Sequence, residues 1–111
     1  MAKLSEYIEQ IKQYALEMLG KQNFVVELLN EYHLILENDF RRVTFYSYRY
    51  EGGVSVQIFD KQKKENISFM KLYEDLGSPS FPIEKRIFQD QFDKELYWKF
   101  RILQLALNQN I

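Results

Sequence analysis

The chain has 111 residues, 46 % of them hydrophobic and 28 % charged, with 15 Lys and Arg against 16 Asp and Glu and a net charge of −1. With no cysteine and a single histidine, disulfide frameworks, cysteine zinc sites, iron–sulfur clusters and thiol catalysis are excluded. Nine Phe, eight Tyr and one Trp exclude a disordered chain, and the balanced charge argues against a dedicated nucleic-acid binder, which carries a basic surplus.

Residues 3–19 read as a helix. Leu4, Ile8, Ile11, Ala15 and Met18 recur every three or four positions and make one apolar stripe, widened by Tyr7, Tyr14 and Leu19. Gly20 stands where a left-handed C-terminal cap is expected. Residues 24–29 are too short for periodicity to separate a strand from a helical turn.

Strand signals follow. Residues 32–37 alternate Tyr32, Leu34 and Leu36 against His33, Ile35 and Glu37, and end on the turn signal Asn38-Asp39. Residues 41–50 are rich in Val, Thr, Phe and Tyr, the side chains that suit a pleated, half-buried surface. Glu51-Gly52-Gly53 is a hairpin signal, and residues 54–60 alternate Val54, Val56 and Ile58 against Ser55, Gln57 and Phe59. The polar stretch 61–66 reads as a solvated loop. Its Lys61, Lys63 and Lys64 are of the kind that touch anionic surfaces, although lysines at a hairpin tip are more often simply solvated.

Ser68 reads as an N-cap, followed by helical spacing at Phe69, Leu72, Tyr73 and Leu76, with Gly77 ending the element. Pro79 and Pro82 interrupt the chain. A long amphipathic helix is expected from about 83 to 108, striped by Phe88, Phe92, Leu96, Phe100, Leu103 and Leu107, with Asp90 as a possible internal N-cap. The expected plan is a single α+β domain over residues 1–111: an N-terminal helix, an antiparallel meander of three to four strands, then a short and a long helix packed on one sheet face.

Strand register follows from parity, because a slip of one residue exchanges the faces. A three-residue loop at Glu51-Gly52-Gly53 pairs Tyr50 with Val54, Tyr48 with Val56 and Tyr46 with Ile58, which makes one face wholly apolar. A loop of Asn38-Asp39-Phe40 adds Tyr32, Leu34 and Leu36 to that face and sets Glu37 against Arg41. The opposite face then holds His33, Phe45 and Phe59 in one row, with Ile35, Val43, Ser47, Arg49 and Gln57 around them. Aromatics among hydrogen-bonding groups are the composition of a recognition surface. The plainer alternatives are that a helix covers this face, or that Phe45 and Phe59 form a cross-strand pair worth roughly 0.2–1 kcal/mol.

No catalytic arrangement stands out. His33, the one imidazole, would have to work with Ser47 or Ser55 and with Glu37 or Asp60, without a nucleophile elbow. Glu37-Asn38-Asp39 and Tyr73-Glu74-Asp75 read as caps or solvated charges rather than metal ligands. Gly52-Gly53 lacks the lysine and the glycine spacing of a phosphate loop. No cofactor is called for. Arg41, Arg42 and Arg49 beside aromatic strands could stack bases, but the strand motif of the common RNA-binding sheet is absent and acidic residues are interspersed. No run approaches the roughly 20 apolar residues that cross a bilayer, and no secretory signal core is present. The expectation is a cytoplasmic protein away from the membrane, monomeric or homodimeric. The wealth of Lys, Asn, Ile, Tyr and Phe hints at an AT-rich bacterial or phage gene.

The order of a leading helix, Tyr32-His33-Leu34-Ile35-Leu36-Glu37-Asn38, Val43-Thr44-Phe45, Val54-Ser55-Val56-Gln57-Ile58-Phe59 and a short helix over 69–76 resembles the layout of small immunity-type proteins from bacterial polymorphic-toxin loci. The likeness covers most of the chain, lies in architecture and assigns no individual residue. It implies a non-enzymatic protein that binds a cognate toxin domain and blocks it sterically. A strongly acidic immunity protein would suit a basic nuclease; a charge of −1 suits that target poorly. On this reading Phe45 and Phe59 are the anchors, and His33, Ser47, Arg49 and Gln57 orient the partner.

Overall fold

The N-terminal amphipathic segment opens as a 3-10 turn at Leu4–Tyr7 and continues as helix α1, Ile8–Leu19, in the computed structural model, which describes residues 3–47, 53–79 and 87–109. The apolar stripe is buried as its spacing demands: Leu4, Ile11, Tyr14, Ala15, Met18 and Leu19 all lie in the core. Gly20 is not the left-handed cap. It stays right-handed (φ −57°) in a second 3-10 turn, and Asn23 takes the left-handed conformation at φ 55°. A 3-10 turn tightens the helix end and postpones the reversal by three residues.

Five antiparallel strands then form a simple meander in chain order. They are β1 (Val25–Asn30), β2 (His33–Glu37), β3 (Arg41–Ser47), β4 (Val54–Asp60) and β5 (Glu65–Ile67). The ambiguous segment 24–29 is therefore a strand. It pairs with β2 through a bulge between Leu28 and Asn30. The expected loop 61–66 ends in a fifth short strand, because Asn66 and Ile67 return onto Phe59 and Ile58.

Helix α2 (Phe69–Asp75) begins at Ser68, whose hydroxyl accepts from the Lys71 backbone N–H at 3.2 Å, as expected of that cap. Gly77 follows in the left-handed region (φ 84°). Helix α3 (Gln91–Gln109) starts later than residue 83: Ile87 to Asp90 precede it without helical structure. Asp90 is its N-cap, with Oδ1 accepting from the Asp93 N–H at 2.9 Å. Phe88 thus lies before the helix and packs its ring on Tyr97, 5.4 Å away.

Both hairpin registers differ from expectation. Asn38 pairs back to Arg41, its N–H donating to the Arg41 carbonyl at 3.1 Å, so the first loop holds two residues rather than three. Asn38 Oδ1 accepts from the N–H groups of Phe40 and Arg41, both at 2.9 Å, which closes the turn. Glu37 consequently faces Arg42, not Arg41. In the second hairpin Ser47 pairs with Val54 and Phe45 with Val56, a register three residues away from the expected one. Tyr48, Arg49 and Tyr50, and with them the Tyr50–Val54 and Tyr48–Val56 pairs, lie outside the described residues; Tyr46 pairs with Ser55 rather than Ile58. The two slips are of one and three residues. Both are odd, so β3 turns over relative to its neighbours while β2 and β4 keep the faces expected of them.

The inward face carries Leu34, Leu36, Val43, Phe45, Val54, Val56 and Ile58, all packed with α1, α2 and α3 into one core. Phe45 is fully buried and its ring stacks on Phe100 at 5.0 Å between centroids. A phenylalanine, with no polar atom to satisfy, gains more from that position than a tyrosine, which can leave its hydroxyl in water. Two tyrosines tie the N-terminal segment to the start of α3: the Tyr14 hydroxyl of α1 donates to buried Asp93 at 2.7 Å, and that of Tyr7, in the preceding turn, to the N-cap Asp90 at 2.5 Å.

Candidate protein-docking face

The far side of the meander carries the alternate residues of each strand. Read across the strands, Asn30, His33, Tyr46 and Ser55 form one row; Glu27, Ile35, Thr44 and Gln57 the next; and Val25, Glu37, Arg42, Phe59 and Asn66 the third. The core cluster lies on the other side. Among the described residues no helix packs over this face.

Of the six residues expected on the surface, His33, Gln57 and Phe59 are there. Phe45 and Ser47 are not: β3 is turned over, so both point into the core, at 0 % and 6 % exposure. The Ser47 hydroxyl has no hydrogen-bond partner among the described residues. Arg49 lies outside the described residues. The expected row of His33, Phe45 and Phe59 is corrected likewise, for His33 faces Tyr46, and Phe59 lies at the opposite end of the face beside Arg42. The same inversion brings Arg42, Thr44 and Tyr46 to the surface. Parity alone could have placed them there, had the loop lengths been known.

The face is organised by contacts within it. His33 meets the Tyr46 ring edge-on at 4.8 Å, and its Nδ1 lies 2.9 Å from Asn30 Oδ1. The Tyr46 hydroxyl donates to Gln57 Oε1 at 3.1 Å. At the other end Glu37 holds both Arg42, at 3.0 Å, and Lys61, at 2.9 Å. The hydrogen bond from Lys61, then that from Arg42, draws the Glu37 carboxyl below its usual pKa. Between them Ile35 is only 8 % exposed although it stands apart from the core cluster.

Ser47 is on the opposite side of the sheet from His33, and Ser55 is two strands away, about 10 Å at the usual spacing. Glu37 is at the far end of β2 and is engaged by two cations. Asn38, in the acidic Glu37-Asn38-Asp39 run, closes a turn.

Concave regions adjoin the sheet, and two of them hold polar or charged side chains. One, of about 500 Å³, is lined by Gln22, Asn23, Asn38 and Lys61 at the end of the sheet near Glu37. The other, of about 560 Å³, runs along β4 between Val56, Phe69 and Lys99. The Lys99 ammonium lies 4.8 Å from the Phe69 ring centroid and 5.5 Å from that of Trp98. Burial lowers the pKa of this amine, while Glu95 acts in the opposite direction. No helix among the described residues is long and apolar enough to cross a membrane. No protein-family model, no curated protein and no solved structure matches the chain.

Proposed function

We propose that the chain is a non-enzymatic protein-binding module whose working surface is the outer sheet face. The observation that carries this reading is the composition of a face left open by the described helices: the His33–Tyr46 ring pair with Asn30 at one end, Phe59 at the other, and Gln57 and Thr44 between. Rigid aromatics with nearby donors and acceptors are the usual makings of a binding hot spot. Strands hold them in place, so little ordering entropy is lost on docking. Of the residues first expected to bind, Phe59, His33 and Gln57 are retained, and Tyr46 takes the role of Phe45. The partner is a protein, and the resemblance in layout favours a toxin domain neutralised by steric cover of its active site in the bacterial cytoplasm.

Nucleic acid fits the face less well. Arg42 and Lys61, cations that would meet phosphate, share the Glu37 carboxylate, and the net charge of −1 lacks the basic surplus such a binder carries.

The test pairs the chain with the product of the adjacent open reading frame in its own genome. Co-expression should relieve toxicity of that product, and calorimetry should show a complex. Tyr46→Ala and Phe59→Ala should each weaken it by roughly 2–4 kcal/mol if they are anchors, with the fold intact by circular dichroism. Full affinity in both variants would remove the face from consideration.

A further inference from the structure

The two edges of the sheet are built differently. At one edge β5 is three residues long and polar apart from Ile67, with Lys61, Lys63 and Lys64 in the turn before it. A short, charged edge is how sheets avoid pairing with other chains. At the other edge β1 has six residues, Val-Val-Glu-Leu-Leu-Asn, and five of the six are exposed. Val25 is 69 % exposed, Leu28 38 % and Leu29 54 %. Beside it on α1, Leu16 is 76 % exposed. Leu16, Leu19, Phe24 and Val26 line a common groove of about 290 Å³. Four of the large hydrophobic side chains left in solvent thus gather along one edge, where the single charge within the strand is Glu27.

The backbone groups that this edge offers follow from the ladder. Ser47 N–H donates to the Tyr32 carbonyl, and Asn38 N–H to the Arg41 carbonyl, so the even-numbered residues of β2 bond toward β3. The odd-numbered ones, Ile35 and Glu37, therefore bond toward Glu27 and Val25. This leaves the N–H and C=O groups of Phe24, Val26 and Leu28 pointing out of the sheet.

We infer that β1 pairs antiparallel with β1 of a second copy of this chain, across a twofold axis at Val26, to give a continuous ten-stranded sheet. The register is selected by charge. With Val26 opposite Val26, Phe24 faces Leu28 of the other copy and Glu27 faces Val25. Shifting the axis to residue 27 would set the two Glu27 carboxylates directly opposite each other, which is unfavourable. The chosen register brings all three outward-pointing residues into hydrogen-bonded pairs and draws the two Leu16 side chains together above the axis. The contact is isologous, so it closes at two copies and leaves no further β1 edge.

A strand of six residues is about 20 Å long, and one sheet plus one helix is about 20 Å deep. The buried area is then roughly 800 Å² in total, below the roughly 1,200 Å² where stable interfaces begin and in the range of weak, transient contacts. The dimer is accordingly weak and dependent on concentration. It lies at the β1 edge, three strands away from Phe59 on β4.

Sedimentation equilibrium of the full chain from 10 to 500 μM tests it. The apparent mass should climb from 13.5 kDa toward twice that value. Val26→Pro removes an N–H that the monomer does not use and should weaken association at least tenfold. Leu16→Lys changes an exposed helix position and should do the same without disturbing the fold. Phe59→Ala should leave the dimer unchanged. A monomer at every concentration overturns the inference. So does a dimer that survives both Val26→Pro and Leu16→Lys, or one lost with Phe59→Ala while Leu16→Lys retains it.

Discussion

Replacing Phe45 by alanine separates the observed register from the one that the loop signals favour. Phe45 has no exposed surface and stacks on Phe100 at 5.0 Å. Removing a buried ring loses its transfer free energy and leaves a cavity that the surrounding core fills only in part. The cost is about 3–5 kcal/mol. A domain of this size has a total stability of roughly 5–15 kcal/mol, so the loss is a large share of it. At about 4 °C per kcal/mol the melting temperature should drop by 12–20 °C. Phe59→Ala is the control. Phe59 is only partly buried on the outer face and stands outside the core cluster, so its loss should cost about 1 kcal/mol or less. Urea unfolding followed by circular dichroism at 222 nm reads both. With an m value of about 2 kcal/mol/M, the Phe45→Ala midpoint should fall by about 2 M and the Phe59→Ala midpoint by under 0.5 M. If the two variants unfolded at the same midpoint, or in reversed order, β3 would face the other way and the core described above would be wrong.

Three further outcomes follow from the same contacts. Ser68→Ala removes the acceptor for the Lys71 N–H and should lower stability by about 1 kcal/mol, measured by urea unfolding, with Ser68→Asn restoring most of it. The Asp90 carboxyl is held below its usual pKa by the Tyr7 hydroxyl first and by the α3 backbone N–H groups after it. Its folded pKa is lower than its unfolded one, so its contribution is present at neutral pH and is lost as the pH falls through the acid range below about 4; Asp90→Asn should flatten that part of the stability–pH curve. Tyr7 has its pKa raised to about 12 by burial and then by Asp90. Here the protonated form is the one favoured by folding, so its contribution is complete below pH 10 and declines as the pH rises through 12; Tyr7→Phe should lose stability at pH 8 and show a shallower decline between pH 10 and 12 in thermal melts.

Much of the architecture is legible in the chain. The stripe from Leu4 to Leu19, the alternation at 54–60, the cap at Ser68 and the cap at Asp90 are local patterns, each decided by residues within a few positions of one another. Local hydrogen bonds and side-chain periodicity require no knowledge of distant partners. For the same reason the short β5 was not legible: Glu65, Asn66 and Ile67 have no strand pattern of their own and become a strand only because Phe59 and Ile58 are there to receive them.

The candidate surface depended on a non-local choice. Residues 41–47 carry large or β-branched side chains on both sides of the strand, with Val43 and Phe45 on one and Thr44 and Tyr46 on the other. Hydropathy therefore does not orient it, and counting tyrosines as core residues points the wrong way. What orients it is the register on either side, set by the tight Asn38 turn and by the pairing of Ser47 with Val54, together with the space beside Phe100 for a ring without a hydroxyl. The amino-acid order by itself determined which segments are helices and which are the main strands, because those depend on near neighbours. Only the packed structure decided which face of β3 meets the helices, because a two-residue period is neutral between faces until a partner occupies one of them.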